Sequence, residues 1–151
     1  MTRDNSMPFG DAAVDGLLFG IVAGAAMAVY LLIVGWLAGD NPVVLLTRFD
    51  PNRSSAIVGT LFHFAVSGVY GIAFGLVWRL FQRWLGGSVL TVLLGMIFGG
   101  FLWLVANFLL LPRANPALGE INSIQFAISH LIYGAVAGLM MSRKSREKSR
   151  G

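Results

Sequence analysis

The sequence predicts an all-α, polytopic membrane protein whose four transmembrane helices form a tandem repeat of two helical hairpins. Two observations carry the membrane prediction. Hydrophobic residues make up 56% of the chain and charged residues only 12%, about half the charged fraction of an average soluble domain. Four stretches, each longer than the roughly 20 residues that a helix needs to span the hydrocarbon core, also contain no Asp, Glu, Lys or Arg: 16–39, 54–78, 84–112 and 121–142.

The helix bounds follow from these stretches and from the residues that interrupt them. Backbone polar groups in lipid must be satisfied internally, which favours helices. Asn41-Pro42 and Asp50-Pro51 lie in the first loop, where they are predicted to stop the first helix and delay the second. Arg83, Gly86 and Gly87 are predicted to form a tight second turn. We expect a polar N-terminus over 1–12, a transmembrane domain over 13–141 with helices at 13–38, 54–81, 88–111 and 120–141, and a basic, disordered tail over 142–151.

The distribution of basic residues predicts that both termini lie in the cytoplasm and that the protein sits in the plasma membrane. Positive charge accumulates on the cytoplasmic side of transmembrane helices. We interpret the basic tail as a topology signal that also contacts anionic lipid headgroups, so no nucleic-acid partner is expected. Eight basic residues lie on the predicted inner side (Arg3, Arg79, Arg83, Arg143, Lys144, Arg146, Lys148, Arg150) and three on the outer side (Arg48, Arg53, Arg113).

Aromatic and glycine residues add two further expectations. Trp36, Trp78 and Trp84 lie near the predicted interfaces, where indole rings anchor helices. Glycines at every fourth position give each helix a smooth face that a second backbone can approach closely. We expect these faces to pack the four helices against each other. The alternative is that some of them bind a flat cofactor or a helix of a partner protein. The predicted packing positions are Gly20, Gly24, Gly71, Gly75, Gly95, Gly99, Gly134 and Gly138.

The two halves of the chain resemble each other. The segment Leu-Phe-Gly-Ile-Val-Ala-Gly at 18–24 matches Leu-Gly-Met-Ile-Phe-Gly at 94–99, and Phe-Ala-Val-Ser at 64–67 matches Phe-Ala-Ile-Ser at 126–129. Tyr-Gly dipeptides follow in both halves, although the match requires a shift of one residue. The first and third helices share an orientation, so the pattern predicts a parallel repeat.

Two histidines, His63 and His130, lie inside the predicted spans at a similar depth near the midplane. Polar groups at that depth point inward by default. One interpretation is that they form hydrogen bonds across the bundle. A second is that both imidazoles are axial ligands of haem b. A third, transport, would use a polar vestibule lined by Asn107, Asn122, Ser123 and Gln125.

Enzymatic chemistry is not expected. The sequence contains no cysteine, which excludes thiolate catalysis, and it contains no phosphate loop or nucleophile elbow. Two histidines alone supply too few ligands for a metal site. We therefore expect no catalytic residue, no metal and no required cofactor, with haem b as the open alternative.

The fourth-helix motif His130-Leu-Ile-Tyr133-Gly134-Ala-Val-Ala-Gly138 resembles a family of small, uncharacterised four-helix membrane proteins of bacteria and archaea. The family pattern is His-Leu-x-Tyr-Gly-x-x-x-Gly, and the resemblance covers roughly 16–141. It implies a membrane location and a four-helix fold without a known activity. Its second- and third-helix counterparts here are His63, Gly68, Tyr70, Gly71 and Gly75, and the 95–103 stretch with Pro112 beyond it.

Together these observations favour a non-catalytic role as an accessory or scaffolding subunit of a larger membrane complex. Its expected partners are the lipid bilayer and other membrane-protein subunits or further copies of the chain. A haem b electron-transfer subunit and a small transporter or channel are the alternatives.

Overall fold

Four long helices account for most of the computed structural model, which describes residues 8–82, 84, 87–111 and 113–150 except for the side chains of 110 and 147–150. Every regular element within these ranges is helical, which confirms the all-α class. Four helices are long and apolar enough to cross a membrane. The elements are α1 (Phe9–Leu37), α2 (Pro42–Thr47), α3 (Ala56–Phe81), α4 (Ser88–Val105), a π-helical segment (Ala106–Leu110), a 3₁₀ helix (Pro116–Glu120) and α5 (Ser123–Arg150).

The outermost helices are longer than predicted. α1 begins at Phe9, so residues 9–12, expected in a polar N-terminus, are helical. Asp11 lies in its first turn, where the helix dipole favours a negative charge. α5 continues to Arg150, through most of the tail that we expected to be disordered. Lys and Arg have good helix propensity and interact favourably with a helix C-terminus. Residues 1–7 and 151 lie outside the described part of the chain.

The first loop contains a helix, α2, that the sequence did not lead us to predict. Asn41 and Pro42, expected only to stop the preceding helix, also start the next one. The Asn41 side chain accepts a hydrogen bond from the Val43 amide at 2.9 Å, and Pro42 occupies the first turn. A proline there loses no helical hydrogen bond. The dipeptide therefore begins α2, whereas α1 ends earlier, at Leu37, before Gly39 with its positive φ of 91°.

The third loop also differs from the prediction. Residues 116–120 form a 3₁₀ helix, so α5 begins at Ser123 instead of 120. Asn122 caps α5, because its Oδ1 accepts hydrogen bonds from the backbone amides of Ile124 and Gln125. The predicted tight turn at Arg83 and Gly86 falls on residues outside the described ranges. The helix predicted over 88–111 runs as α4 to Val105 and continues as the π-helical segment to Leu110.

Asp50 fixes the start of α3. Its carboxylate is buried and accepts hydrogen bonds from the Asn52 amide, the Ser54 amide and hydroxyl, and the Ser55 amide, at 2.6–3.2 Å. The Ser54 hydroxyl bond is the main reason that the pKa of Asp50 lies below its ordinary value of 3.8, and the backbone amides act in the same direction. The charged carboxylate thus accepts hydrogen bonds from backbone amides that precede the first turn of α3.

The helices are arranged as an up-down-up-down bundle. α1 packs along α3 and along α5, and α4 packs along α5, whereas α3 and α4 touch only sparsely. α3 and α5 are diagonal to each other. They are joined where the Tyr133 hydroxyl donates to the Ser67 carbonyl at 2.7 Å. The Phe74 and Phe98 rings, 5.3 Å apart, bridge α3 and α4.

Glycines bring α1 and α3 into backbone contact. A Cβ built on Gly71 would overlap the Gly16 carbonyl oxygen and lie 2.6 Å from the Gly20 Cα. A Cβ on Gly75 would overlap the Ala12 carbonyl oxygen. Gly24, one turn beyond, differs because a Cβ added there would meet the Ser67 side chain first.

The α4–α5 crossing is built in the same way. A Cβ on Gly95 would overlap the Gly134 carbonyl oxygen, and one on Gly99 would overlap the His130 carbonyl oxygen. A Cβ on Gly138 would lie 2.7 Å from the Thr91 carbonyl oxygen. Seven of the predicted packing glycines therefore face the backbone of a neighbouring helix, and Gly24 faces a side chain.

The tryptophans do not behave alike. Trp36 and Trp84 are exposed, as expected of rings that contact an interface. Trp78 is only 2% exposed and belongs to the buried core with Phe74 and Met141. The prediction that Trp78 anchors α3 at the surface is wrong, because its position on the helix turns the ring towards the bundle interior.

Candidate functional site

His63 and His130 lie on the wall of one cavity. Its volume is about 450 Å³, and it lies between α3, α5 and the end of α4. Most of its surface is apolar, with contributions from Met27, Leu102 and Phe126. The sequence predicted that His63 and His130 lie at a similar depth, and the structure brings both to one cavity. No pattern in the sequence indicated the cavity itself.

His63 reaches from α3 towards α1. Its Nε2 lies 3.0 Å from the carbonyl oxygen of Gly24, and its ring stacks in a tilted arrangement 4.6 Å from the Phe49 ring. A Cβ added at Gly24 would lie 3.6 Å from this Nε2, an ordinary contact. The side chain is nine-tenths buried.

His130 bonds within its own helix. Its Nδ1 lies 2.8 Å from the carbonyl oxygen of Phe126, one turn earlier in α5, and its ring meets the Phe126 ring edge-on at 4.5 Å. Only 5% of the residue is exposed. The expected hydrogen bonds across the bundle are thus made by His63 and by Tyr133, while His130 does not make one.

These two contacts assign the roles of the ring nitrogens. A carbonyl oxygen can only accept, so Nε2 of His63 and Nδ1 of His130 carry the protons that they donate. In a neutral imidazole the other nitrogen is then an acceptor. Nδ1 of His63 and Nε2 of His130 have no hydrogen-bond partner among the described residues. Each of these two residues of the cavity wall therefore keeps one acceptor nitrogen for which this part of the protein supplies no donor.

The first and third loops cover one end of the cavity. Asn115 donates from Nδ2 to the carbonyl oxygens of Arg48 at 3.0 Å and Phe49 at 3.5 Å. Its Oδ1 is buried without a partner in the described part of the chain. A contact between residues 67 positions apart in sequence leaves no local pattern, which is why it was missed.

An ion-pair network reinforces this cover. Arg48 pairs with Asp40 at 3.4 Å and approaches Glu120 at 3.3 Å through Nε, the latter without hydrogen-bond geometry. Arg53 also pairs with Glu120. The hydrogen bond from Arg53 is the main cause that lowers the pKa of Glu120. The first and third loops are therefore held together by charge as well as by Asn115.

The site does not fit the bis-histidine haem hypothesis. His130 has the usual ligand tautomer, with Nδ1–H bonded to a backbone carbonyl and Nε2 available. His63 has the opposite arrangement, because Nε2 is taken by Gly24. Its available Nδ1 adjoins its own Cβ, so a macrocycle centred there would meet α3. Two of the three arginines in the first and third loops, Arg48 and Arg53, pair with carboxylates instead of being available to a propionate.

The polar residues considered for a transport vestibule are dispersed. Asn122 is a helix cap, and Gln125 accepts a hydrogen bond from the Tyr30 hydroxyl between α5 and α1. Asn107 and Ser123 are not among the residues that line the cavity. None of these four side chains lines the cavity beside the histidines.

Comparisons with family models, with curated proteins and with solved structures gave no match to this chain. The family resemblance of the fourth-helix motif accordingly stays a prediction.

Proposed function

We propose that this chain is a multi-pass protein of the plasma membrane, with four crossings and both termini in the cytoplasm, that acts as a non-catalytic accessory or scaffolding subunit. The observation that carries the membrane part is the exterior of the bundle. Large apolar side chains are exposed along all four long helices, for example Val29, Ile57, Ile97 and Ile124. Soluble monomers rarely expose contiguous apolar patches larger than a few hundred Å², so lipid is the solvent that suits this surface.

The charges at the two ends of the bundle support the orientation. On the loop side, Arg48 and Arg53 are paired with Asp40 and Glu120. The opposite end has an excess of basic residues, which the positive-inside rule assigns to the cytoplasm. Among the residues that the structure describes, the charged ones at this end are Arg79, Arg143, Lys144, Arg146, Lys148 and Arg150 against Asp11, Asp15 and Glu147.

The paired glycine crossings support a tandem duplication and revise its register. Gly16 and Gly20 meet α3 as Gly95 and Gly99 meet α5. Gly20 is therefore the counterpart of Gly99, whereas the sequence match paired it with Gly95. On α3 and α5, Gly71 and Gly134 occupy matching places, which retains the Tyr-Gly correspondence between the two halves.

The scaffolding role rests on rigidity. Backbone contacts at both crossings leave α1 with α3, and α4 with α5, little freedom to slide. A partner that binds such a bundle has little conformational entropy of this chain to remove. The surface offered is apolar, and the expected partners are membrane subunits or further copies of the chain.

The natural absence of cysteine makes a direct test of insertion possible. Asn52→Cys, in the first loop, should react with a membrane-impermeant maleimide added to intact spheroplasts. Ser145→Cys, at the opposite end, should react only after permeabilisation. The reverse pattern would overturn the orientation, and equal labelling of both sites in intact spheroplasts would overturn insertion.

The scaffolding part needs a separate measurement. Crosslinking in native membranes, followed by purification in mild detergent, should recover this chain together with another membrane protein or with itself at fixed stoichiometry. Recovery as a monomer without crosslinked species would remove the scaffolding role and leave insertion intact. A reduced-minus-oxidised spectrum of the same sample should lack a haem b band, since the site does not fit two axial ligands.

A further inference from the structure

The cavity between α3, α5 and the end of α4 has features of a ligand site. We propose that it binds a membrane-dissolved lipophile that carries a hydroxyl group, and that this hydroxyl donates to His130 Nε2 or His63 Nδ1. The inference rests on membrane insertion, which cysteine labelling tests independently. It does not require the scaffolding role.

The polar groups select a hydrogen-bond donor. The carbonyl contacts of His63 and His130 leave one acceptor nitrogen on each ring. The Tyr133 hydroxyl, also on the wall, already donates its hydrogen to the Ser67 carbonyl, so it too is left with accepting capacity. Three acceptors therefore line the cavity, and an unmatched acceptor in an apolar site is unfavourable. A ligand hydroxyl would satisfy one or two of them.

The size and lining of the cavity select an apolar ligand body. A volume of about 450 Å³ lies in the range typical of small-molecule sites. The remaining wall is hydrocarbon from residues such as Met27, Leu102 and Leu111, which holds water poorly. No Asp or Glu of the described residues lines the cavity, so a cation would lack a counter-charge.

The route into the cavity leads from the lipid. Phe62 and Val69 of α3 line the cavity and are also 47% and 61% exposed on the outer surface of the bundle. α3 and α4, which both contribute to the cavity wall, touch only sparsely. The adjoining π-helical segment contributes Ala106, whose small side chain leaves space at the wall. The opening therefore faces the bilayer interior, and the loops close the aqueous end.

The test compares two probes that differ in one hydrogen-bond donor. Radiolabelled 4-octylphenol and its methyl ether, 4-octylanisole, would be titrated by equilibrium dialysis against the full chain in phosphatidylcholine nanodiscs, with empty nanodiscs as the background. The phenol should bind about tenfold more tightly, since one hydrogen bond in a buried site contributes about that factor. Equal binding of the two probes would overturn the inference in favour of an unselective apolar cavity, and binding of neither would overturn it outright.

Variants locate the site. His130→Phe should remove the preference for the phenol, whereas His130→Gln, which keeps an acceptor near the position of Nε2, should retain part of it. Ala106→Phe should abolish binding of both probes by filling the cavity. Ile97→Phe, which adds the same ring to the lipid-facing side of α4, should leave binding unchanged. An undiminished preference in both His130→Phe and His63→Phe, or equal effects of the two added rings, would overturn the assignment.

Discussion

Adjacent glycines on α4 provide a matched test of the close helix crossing. Gly99 faces α5: a Cβ there would overlap the His130 carbonyl oxygen and lie 3.0 Å from its carbon and 3.3 Å from the Gly134 Cα. Gly100 faces open space, and its Cβ would meet only the Leu131 Cδ2 at 3.8 Å, an ordinary contact. The two positions share a helix, a depth and a substitution, and they differ only in what the new methyl group meets.

The two substitutions are expected to change the free energy of unfolding by different amounts. Gly→Ala in a helix interior is favourable by about 0.8–1 kcal/mol from helix propensity, and this term acts equally at both positions. The overlap at Gly99 forces α4 and α5 apart, and overpacking of this kind costs about 1–3 kcal/mol. We expect Gly100→Ala to be neutral or stabilising by up to about 1 kcal/mol. Gly99→Ala should be less stable than Gly100→Ala by about 1–3 kcal/mol.

Reversible unfolding in mixed micelles, titrated with SDS and followed by far-UV circular dichroism, measures both free energies of unfolding. The difference between the two variants isolates the steric cost, because the propensity contribution cancels. Equal stabilities for Gly99→Ala and Gly100→Ala would refute the backbone contact between α4 and α5, and with it the proposed basis of the rigid bundle.

Three further predictions concern polar contacts. Tyr133→Phe removes the bond to the Ser67 carbonyl and should lower the free energy of unfolding by about 0.6 kcal/mol, the mean for such bonds in membrane helices; an unchanged SDS midpoint would argue against that bond. Asn115→Ala should cost about 0.5–1.5 kcal/mol and expose the loop before α5 to protease, and unaltered cleavage would show that Asn115 does not hold the loops together. The pKa of Asp50 is lowered on folding, so its stabilising contribution is full above pH 3.8 and is lost as the pH falls through the lower folded-state pKa. Asp50→Ala should therefore reduce the loss of unfolding free energy at acid pH. If the free energy of unfolding of the variant fell with pH in parallel with that of the unchanged protein, the role of Asp50 would be contradicted.

Much of the fold could be predicted because the physics of its helices is local. A long stretch without charge determines an apolar helix, and glycines four residues apart lie on one face of it. The same reasoning correctly led to an all-helical protein with four long apolar helices. It failed at Trp78, since composition alone does not determine which side of a uniformly apolar helix faces the interior.

The site was harder to predict for a different reason. The sequence predicted that His63 and His130 lie at similar depth, but it did not predict which ring nitrogen each one uses for its hydrogen bond. That choice depends on Gly24 from another helix for His63 and on its own preceding turn for His130. Asn115 was overlooked because its partner carbonyls belong to a loop distant in the chain. Contacts of this kind depend on tertiary placement and leave no periodic pattern.

The contrast between Gly24 and the other crossing glycines has a consequence for how this sequence can diverge. Where a glycine meets backbone, as Gly71 meets Gly16, no substitution on the opposite helix can make room, because every amino acid has the same carbonyl oxygen. Where Gly24 meets the Ser67 side chain, whose Cβ would lie 2.6 Å from a Cβ added at 24, a glycine at 67 makes room for a larger residue at 24. Among descendants of this chain, the backbone-facing glycines should therefore be fixed individually, whereas positions 24 and 67 should change as a pair.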